Sequence, residues 1–541
     1  MTIQTRQLCA SWERSWKIVI AILVVISSLQ FLTFKIDPLE QRDIRGVGIN
    51  CNGTATAVTM ASTSTALVPG ELPGYTGWAR PEKTLARYFF ASSLSTQELR
   101  VGEEFFVRVQ CQGHEDCSKG NALFFLRAYG PSVIPGIAIS EGNGAYRMHF
   151  VPMDSGSYTV EVVLTFSSHP PFDIFPLPGD EDEPAYEGYL LPGFPLQIFV
   201  RDPSNIDNSE DATGSPSGKT LCSTDDLTES SSSSAVYKAR WKVKSKSNQP
   251  GYTSPSIDTP TVTQSGYTHL RNSLGIEMNY EYTSDCILLP RSAFAKREEN
   301  NHAFARCGVL GKSLQVIFIG DSVMRVQKDM FEGMVGHLKH IKTSYANLYG
   351  GYRRAKKLET DFEILLSDIQ RRAPNDAKVV IFNTGLHDIH RLCGQEWSTD
   401  RYEYLDKAKL DSGKFFCVDE YKLLLNEFAT IIEDYDANLR IFQSSTAAWP
   451  KYGNFGIEWP FGSQTLPLVS DMVSYFNDIA FEVLGAYGDS IQITDGYWIT
   501  YSRPDNREIG TIGSKLSHPG LEVQSAMVRT LAMLILENVC S

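Results

Sequence analysis

LQVIFIGDSVMR, residues 314–325, decides the fold of the C-terminal half. Leu314 to Ile319 read as one apolar run, the pattern of a strand covered on both faces. Val323 to Leu338 have the spacing of a helix. Between them stand Gly320, Asp321 and Ser322. In sheets of alternating strands and helices, ligands gather at the carboxyl ends of the strands. A helix N-terminus there offers unpaired N–H groups and positive potential, suited to an oxyanion. Ser322 is therefore a candidate nucleophile whose own N–H could serve a tetrahedral intermediate. The alternative is plainer: Asp321 or Ser322 only caps the helix.

The same alternation continues outward. Lys378–Phe382, Leu439–Phe442 and Ser490–Thr494 read as further strands. Tyr421–Tyr435, Asp471–Tyr487 and Leu521–Asn538 read as helices. Residues 266–541 are thus expected to form an α/β domain, a parallel sheet with helices on both faces. Ser517-His518-Pro519-Gly520 precedes the last helix. If the strands are parallel, His518 lies at the sheet edge that carries Ser322, 196 residues away (518 − 322). Nucleophile and base need no closeness in sequence.

Toward the N-terminus the pattern changes. Residues 203–265, with the serine run 230–234, read as a disordered linker, because such a composition buries too little apolar area to offset its ordering entropy. The basic residues Lys238, Arg240, Lys242, Lys244 and Lys246 read as a solvated part of that tether. Residues 79–202 hold short β-rich runs separated by turn residues, as in an all-β sandwich. Residues 35–78 form a stem. Ile18–Phe34 carries no charge, and its 17 residues would span roughly 25 Å as a helix, enough for a short membrane crossing. Arg6, Arg14 and Lys17 precede it, so residues 1–17 are expected to be cytosolic and the rest lumenal, a single-pass type II arrangement.

Of ten cysteines, Cys9 would be cytosolic and the other nine would meet an oxidising lumen. None makes a paired CxxC pattern, so disulfides are preferred to zinc. Short-loop pairings are Cys111–Cys117, Cys286–Cys307 and Cys393–Cys417. Nine cysteines lie beyond the membrane segment, an odd number, so one at least stays free or pairs between chains. Asn52-Gly53-Thr54 is a glycosylation sequon. The net charge of −13 argues against nucleic-acid binding, which needs a basic surface. The pairs His337/His340 and His387/His390 lack third and fourth ligands at suitable spacing, so no metal is expected. Trp449, Tyr452, Phe455, Trp459 and Phe461 form an aromatic-rich loop that either packs or offers a sugar platform.

Two resemblances extend this reading. GAYRMHFVPMDSGSYTVEVVL, residues 144–164, resembles the end of a filamin-type immunoglobulin-like repeat. Gly320-Asp321-Ser322 with Arg325 and a C-terminal His518 resembles the SGNH or GDSL-type hydrolase fold, in its PC-esterase branch. Cys286, then Cys307-Gly-Val-Leu310, resembles the entry to PC-esterase domains, and Asp495-Gly-Tyr-Trp-Ile-Thr-Tyr501, His518-Pro519 and a terminal helix ending in Cys540 resemble the neurexophilin and PC-esterase (NXPE) family. The resemblance implies a membrane-anchored, Golgi or other secretory-pathway enzyme that moves an acyl group, most simply acetyl, onto or off a glycan hydroxyl. The implied co-substrate is an acetyl donor such as acetyl-CoA, with no bound cofactor. The partners would be a glycan or glycoprotein and a membrane protein that supplies the donor.

Ser322 would be the nucleophile and His518 the base. The family's Asp-x-x-His is broken here by Lys515, so Asp495, at the end of a strand, is the expected orienting acid. Asp505 is the alternative, read as a solvated turn carboxylate, and a dyad without an acid is the third option. The oxyanion donors would be the Ser322 N–H, Gly350 or Gly351, and His387 or Asn383. Gly320, Asp321 and Arg325 support the motif. A glycan O-acetyl esterase would use the same site. A non-catalytic adhesion or ligand protein with a decayed esterase domain is the reading from another class.

Overall fold

Twelve strands come first among the described residues: β1 (Phe89–Leu94), β2 (Glu98–Arg100), β3 (Phe105–Cys111), β4 (Leu123–Tyr129), β5 (Ser132–Pro135), β6 (Ile137–Gly142), β7 (Ala145–Phe150), β8 (Gly156–Phe166), β9 (Tyr189–Leu190), β10 (Leu196–Arg201), β11 (Arg240–Val243) and β12 (Tyr280–Thr283). They make two sheets, β1-β3-β7-β6 and β12-β11-β5-β4-β8-β10-β2, with β9 beside β8. The structure is a computed structural model. It describes residues 78, 84–95, 98–118, 121–168, 186–202, 240–243, 280–283, 303–309, 313–347, 355–393, 417–449, 470–510 and 513–540.

Burial patterns show how this sandwich is used. Strand β7 alternates buried and half-buried residues, as expected when one face meets the core and the other faces out. β4 and β8 are buried almost without interruption. Both faces of these central strands are covered, one by the opposing sheet and the other by the α/β layer. Trp78, Phe125, Trp449 and Tyr501 pack together at that junction, with Phe125 and Trp449 ring centroids 4.5 Å apart.

The α/β layer contains β13 (Leu314–Gly320), β14 (Ile341–Asn347), β15 (Ala377–Phe382), β16 (Leu439–Gln443) and β17 (Gln492–Thr494). They are all parallel, in the order β14-β13-β15-β16-β17. The order reverses between β13 and β15, and such a switch point opens a crevice at the carboxyl ends of the strands. Helices α1 (Ser322–Val335), α2 (Ala355–Arg372), α3 (Cys417–Asp434), α4 (Ser470–Gly485), α5 (Tyr497–Tyr501) and α6 (Leu521–Val539) accompany the sheet. A separate hairpin pairs β18 (Arg507–Gly510) with β19 (Gly513–Pro519). The mixed α/β architecture, sandwich sheets plus a parallel sheet with helices, agrees with the sequence reading.

Several expectations are corrected. The linker contains an ordered strand: β11 pairs with β5 and β12, and Trp241 is buried. Within the supposedly solvated basic stretch, Arg240 Nε donates to Asp154 Oδ2 at 2.6 Å, and Lys242 lies 2.9 Å from the same carboxylate. Burial opposes ionisation of Asp154, but these two cations outweigh it and hold its pKa at about 2. Strand β12 falls in the range assigned to the α/β domain yet extends the sandwich sheet. Cys111–Cys117 and Cys393–Cys417 are disulfides as expected. Cys307, however, pairs with Cys540 and not with Cys286, which lies outside the described residues.

The Cys307–Cys540 bridge has a sequence separation of 233. Closing so long a loop should restrict the unfolded chain by about 5 kcal/mol. Cys540→Ser is therefore expected to lower the thermal midpoint clearly, as measured by calorimetry, while Cys111→Ser, which opens a separation of only 6, costs less. Among the described residues no helix is long and apolar enough to cross a membrane. Residues 18–34 and the sequon at Asn52 lie outside them.

Candidate active site

Ser322 opens α1 directly after β13, at the carboxyl end of a strand flanked on both sides. The cap belongs to its neighbour: Asp321 Oδ1 accepts from the N–H groups of Val323 (2.8 Å) and Met324 (3.4 Å). The Ser322 hydroxyl is thus released from capping. It meets His518 instead, with Oγ 2.6 Å from Nε2. When Nδ1 carries the proton, Ser322 donates and Nε2 accepts, as required of nucleophile and base. Ser322 is buried and His518 half-buried.

His518 stands just before the last helix, as the sequence reading has it. It lies in β19, whose hairpin with β18 is fixed at its base by the Arg507–Pro519 pairing. Gly520 N–H donates to the Asn506 carbonyl at 2.8 Å, and a Cβ at Gly520 would sit 3.1 Å from the Asn506 backbone carbonyl carbon and 2.6 Å from its Oδ1. Close backbone approach accounts for glycine at 520.

Burial raises the Asp321 pKa; the charge of His518 and the N–H groups of Val323 and Met324 act against that rise. A positive charge at His518 therefore favours the Asp321 carboxylate over its neutral form. Tyr345, which the sequence reading left unnoticed, holds the turn from below. Its hydroxyl donates between the carbonyls of Gly320 (3.0 Å) and Asp321 (2.8 Å). A Cβ at Gly320 would come within 2.8 Å of Met324 Cβ, so the turn also needs glycine there.

Asp495 has another task than the one expected. Its carboxylate accepts from Trp498 N–H at 2.7 Å and is further engaged by the N–H groups of Ile499 and Tyr497, so it caps α5. Burial pushes its pKa up to about 7 against those hydrogen bonds. Asp505 is not a solvated turn carboxylate. It receives Arg127 Nη1 at 2.9 Å and Arg503 Nε at 3.0 Å. Burial would raise its pKa, but the two guanidinium groups prevail and lower it.

Asn383 follows β15 and directs its amide N–H to the Gln443 carbonyl at 2.7 Å, a strut between the ends of β15 and β16. The same amide nitrogen also faces Ser445 Oγ at 3.5 Å. His387 is half-buried on the short helix Leu386–Asp388, which follows Gly385 at φ +122°. A side chain at 385 would be strained there and would press on Ser445 Oγ at 2.7 Å. Arg325 is half-buried on the first turn of α1. Gly350 and Gly351 lie outside the described residues, as do Tyr452, Phe455, Trp459 and Phe461. Trp449 is buried at the junction and offers no sugar platform.

No family model matches the chain, and no curated protein matches it. Among solved structures, the Lin-41 filamin domain is 17% identical and aligns over 21% of this chain and 94% of its own, with a TM-score of 0.15. A candidate glycoside hydrolase from Bacteroides vulgatus ATCC 8482 is 11% identical over 81% of this chain and 78% of its own, with a TM-score of 0.16. Likenesses this distant carry no functional argument.

Proposed function

We propose that this chain is a serine-dependent acyl-transfer enzyme of SGNH and PC-esterase type, related to the NXPE family, acting on glycan hydroxyls. The supporting observation is the 2.6 Å contact of Ser322 Oγ with His518 Nε2 at the carboxyl end of β13. Ser322 Oγ attacks the carbonyl carbon of an acyl donor while His518 takes its proton. The donor's leaving group departs with a proton from His518, leaving an acyl-serine. A sugar hydroxyl, deprotonated by His518, then takes the acyl group; water in its place makes the same site an esterase. The oxyanion would be held by the Ser322 N–H, by His387 and by Gly350 or Gly351. Three disulfides among the described residues favour the secretory pathway, with residues 18–34 as the anchor.

The carboxylate that aids His518 in this reading is Asp321 and not Asp495. Asp321→Asn keeps an oxygen for the cap and removes the charge. It is expected to lower turnover by about tenfold or more, because it removes a carboxyl group whose charged form is coupled to a charge at His518. Asp495→Asn, which likewise keeps its capping oxygen, is expected to stay within about threefold. The opposite ranking in steady-state assays restores Asp495 as the orienting acid.

The activity itself is tested by incubating the purified chain with acetyl-CoA and mixed glycans, followed by mass spectrometry. A gain of acetyl on a glycan supports transfer, and its loss from acetylated glycans supports hydrolysis. Neither change, across sialylated, neutral and sulfated glycans, would favour an adhesion or ligand role.

A further inference from the structure

The sandwich and the α/β layer meet in a cluster of buried charges that the dyad does not use. Arg127, on β4, is fully buried. Its Nε donates to Glu161 on β8 at 2.6 Å, and its Nη1 reaches across to the Ser502 carbonyl (3.1 Å) and Asp505 Oδ1 (2.9 Å). Asp505 binds Arg503, whose Nη2 donates to Glu522 at 2.7 Å. Glu522 lies in the first turn of α6. Trp241, on β11, sits 4.8 Å beneath the Arg503 guanidinium and donates Nε1–H to the Ile499 carbonyl at 2.9 Å.

The segments gripped on the α/β side run into and out of the hairpin that carries His518. Residues 502–506 lead into β18, which pairs with the strand that carries His518. Asn506 receives Gly520 N–H through its carbonyl and Val523 N–H through Oδ1 at 3.3 Å. Glu522 stands four residues past the histidine. The hairpin is two-stranded, and such a ribbon has little stability alone. Its base is clamped before it (Ser502, Arg503, Asp505, Asn506) and after it (Gly520, Glu522, Val523). One end of the clamp is a guanidinium from the sandwich.

We propose that Arg127 is a positioning residue for His518, so that the sandwich sets the geometry of the dyad from the other side of the domain junction. The role rests on the reading of Ser322 and His518 as nucleophile and base. A planar guanidinium can bridge Glu161, the Ser502 carbonyl and Asp505 at once; an ammonium cannot, although it keeps the charge. An error of about 1 Å, introduced far from the chemistry, can cost about a hundredfold in rate.

The test uses the full chain, Arg127→Lys and, as a milder variant at the far end of the clamp, Glu522→Gln. An alkyl fluorophosphonate phosphonylates an activated serine: the Oγ–P bond forms, the P–F bond breaks, and fluoride leaves as His518 takes the proton. Arg127→Lys is expected to be labelled at least about tenfold more slowly than wild type. The second readout is the titration midpoint of the His518 imidazole by NMR on a histidine-labelled chain, assigned by its loss in His518→Gln. That midpoint is expected to shift in both variants, because the ring moves relative to Ser322 and Asp321. An unchanged midpoint in a folded variant overturns the proposal, whatever the labelling does; if Arg127→Lys does not fold, Glu522→Gln decides. A wild-type chain that resists the fluorophosphonate overturns Ser322 as nucleophile, and a shifted midpoint in the variants then shows only that the clamp holds the His518 ring.

Discussion

Ser322→Ala is expected to reduce turnover by more than about a thousandfold while leaving the fold intact. The structure makes this a clean substitution. Capping of α1 is done by Asp321, through Val323 and Met324, so the alanine variant keeps its helix start. The change removes one oxygen whose contact is the His518 ring. Thermal unfolding should move by less than the roughly 1 kcal/mol typical of a lost cap. Near-normal turnover in a folded Ser322→Ala would end the covalent mechanism.

His518→Gln should cost a comparable factor, about a thousandfold or more, because glutamine can hold a hydrogen bond to Ser322 but cannot take its proton. The double variant Ser322→Ala/His518→Gln should be little worse than either single one, since the two groups act as a unit. Multiplying losses, seen in kcat/KM for the single and double variants, would mean that they serve separate steps.

What was legible in the sequence follows from how each element is buried. β13, β15 and β16 are covered on both faces, so their residues had to be apolar, and the runs around Val316, Val380 and Ile441 showed it. β14 lies at the sheet edge with half-exposed residues, and IKTSYAN carries no such run; Tyr345 went unseen with it. β11 was hidden by the lysines around it, since only Trp241 marked it as buried. Ser322 could be found because it follows a buried strand of the parallel sheet, and His518 because it stands just before the last helix, although a separate hairpin carries it to the serine.

Asp505 could not be judged in the same way. Its partner Arg127 is 378 positions away and on another sheet, so local turn chemistry suggested water where the fold supplies two guanidinium groups. Asp495 misled for a related reason: its place at a strand end was read correctly, but the short helix that claims its carboxylate has no amphipathic repeat to announce it.

The Cys307–Cys540 bridge encloses both Ser322 and His518 within one covalent ring. A single proteolytic cut in the stretch between the two residues would therefore leave the pieces tethered. Such a nicked molecule would migrate as one species without reductant and as two fragments with it, and Ser322 and His518 would still belong to the same particle.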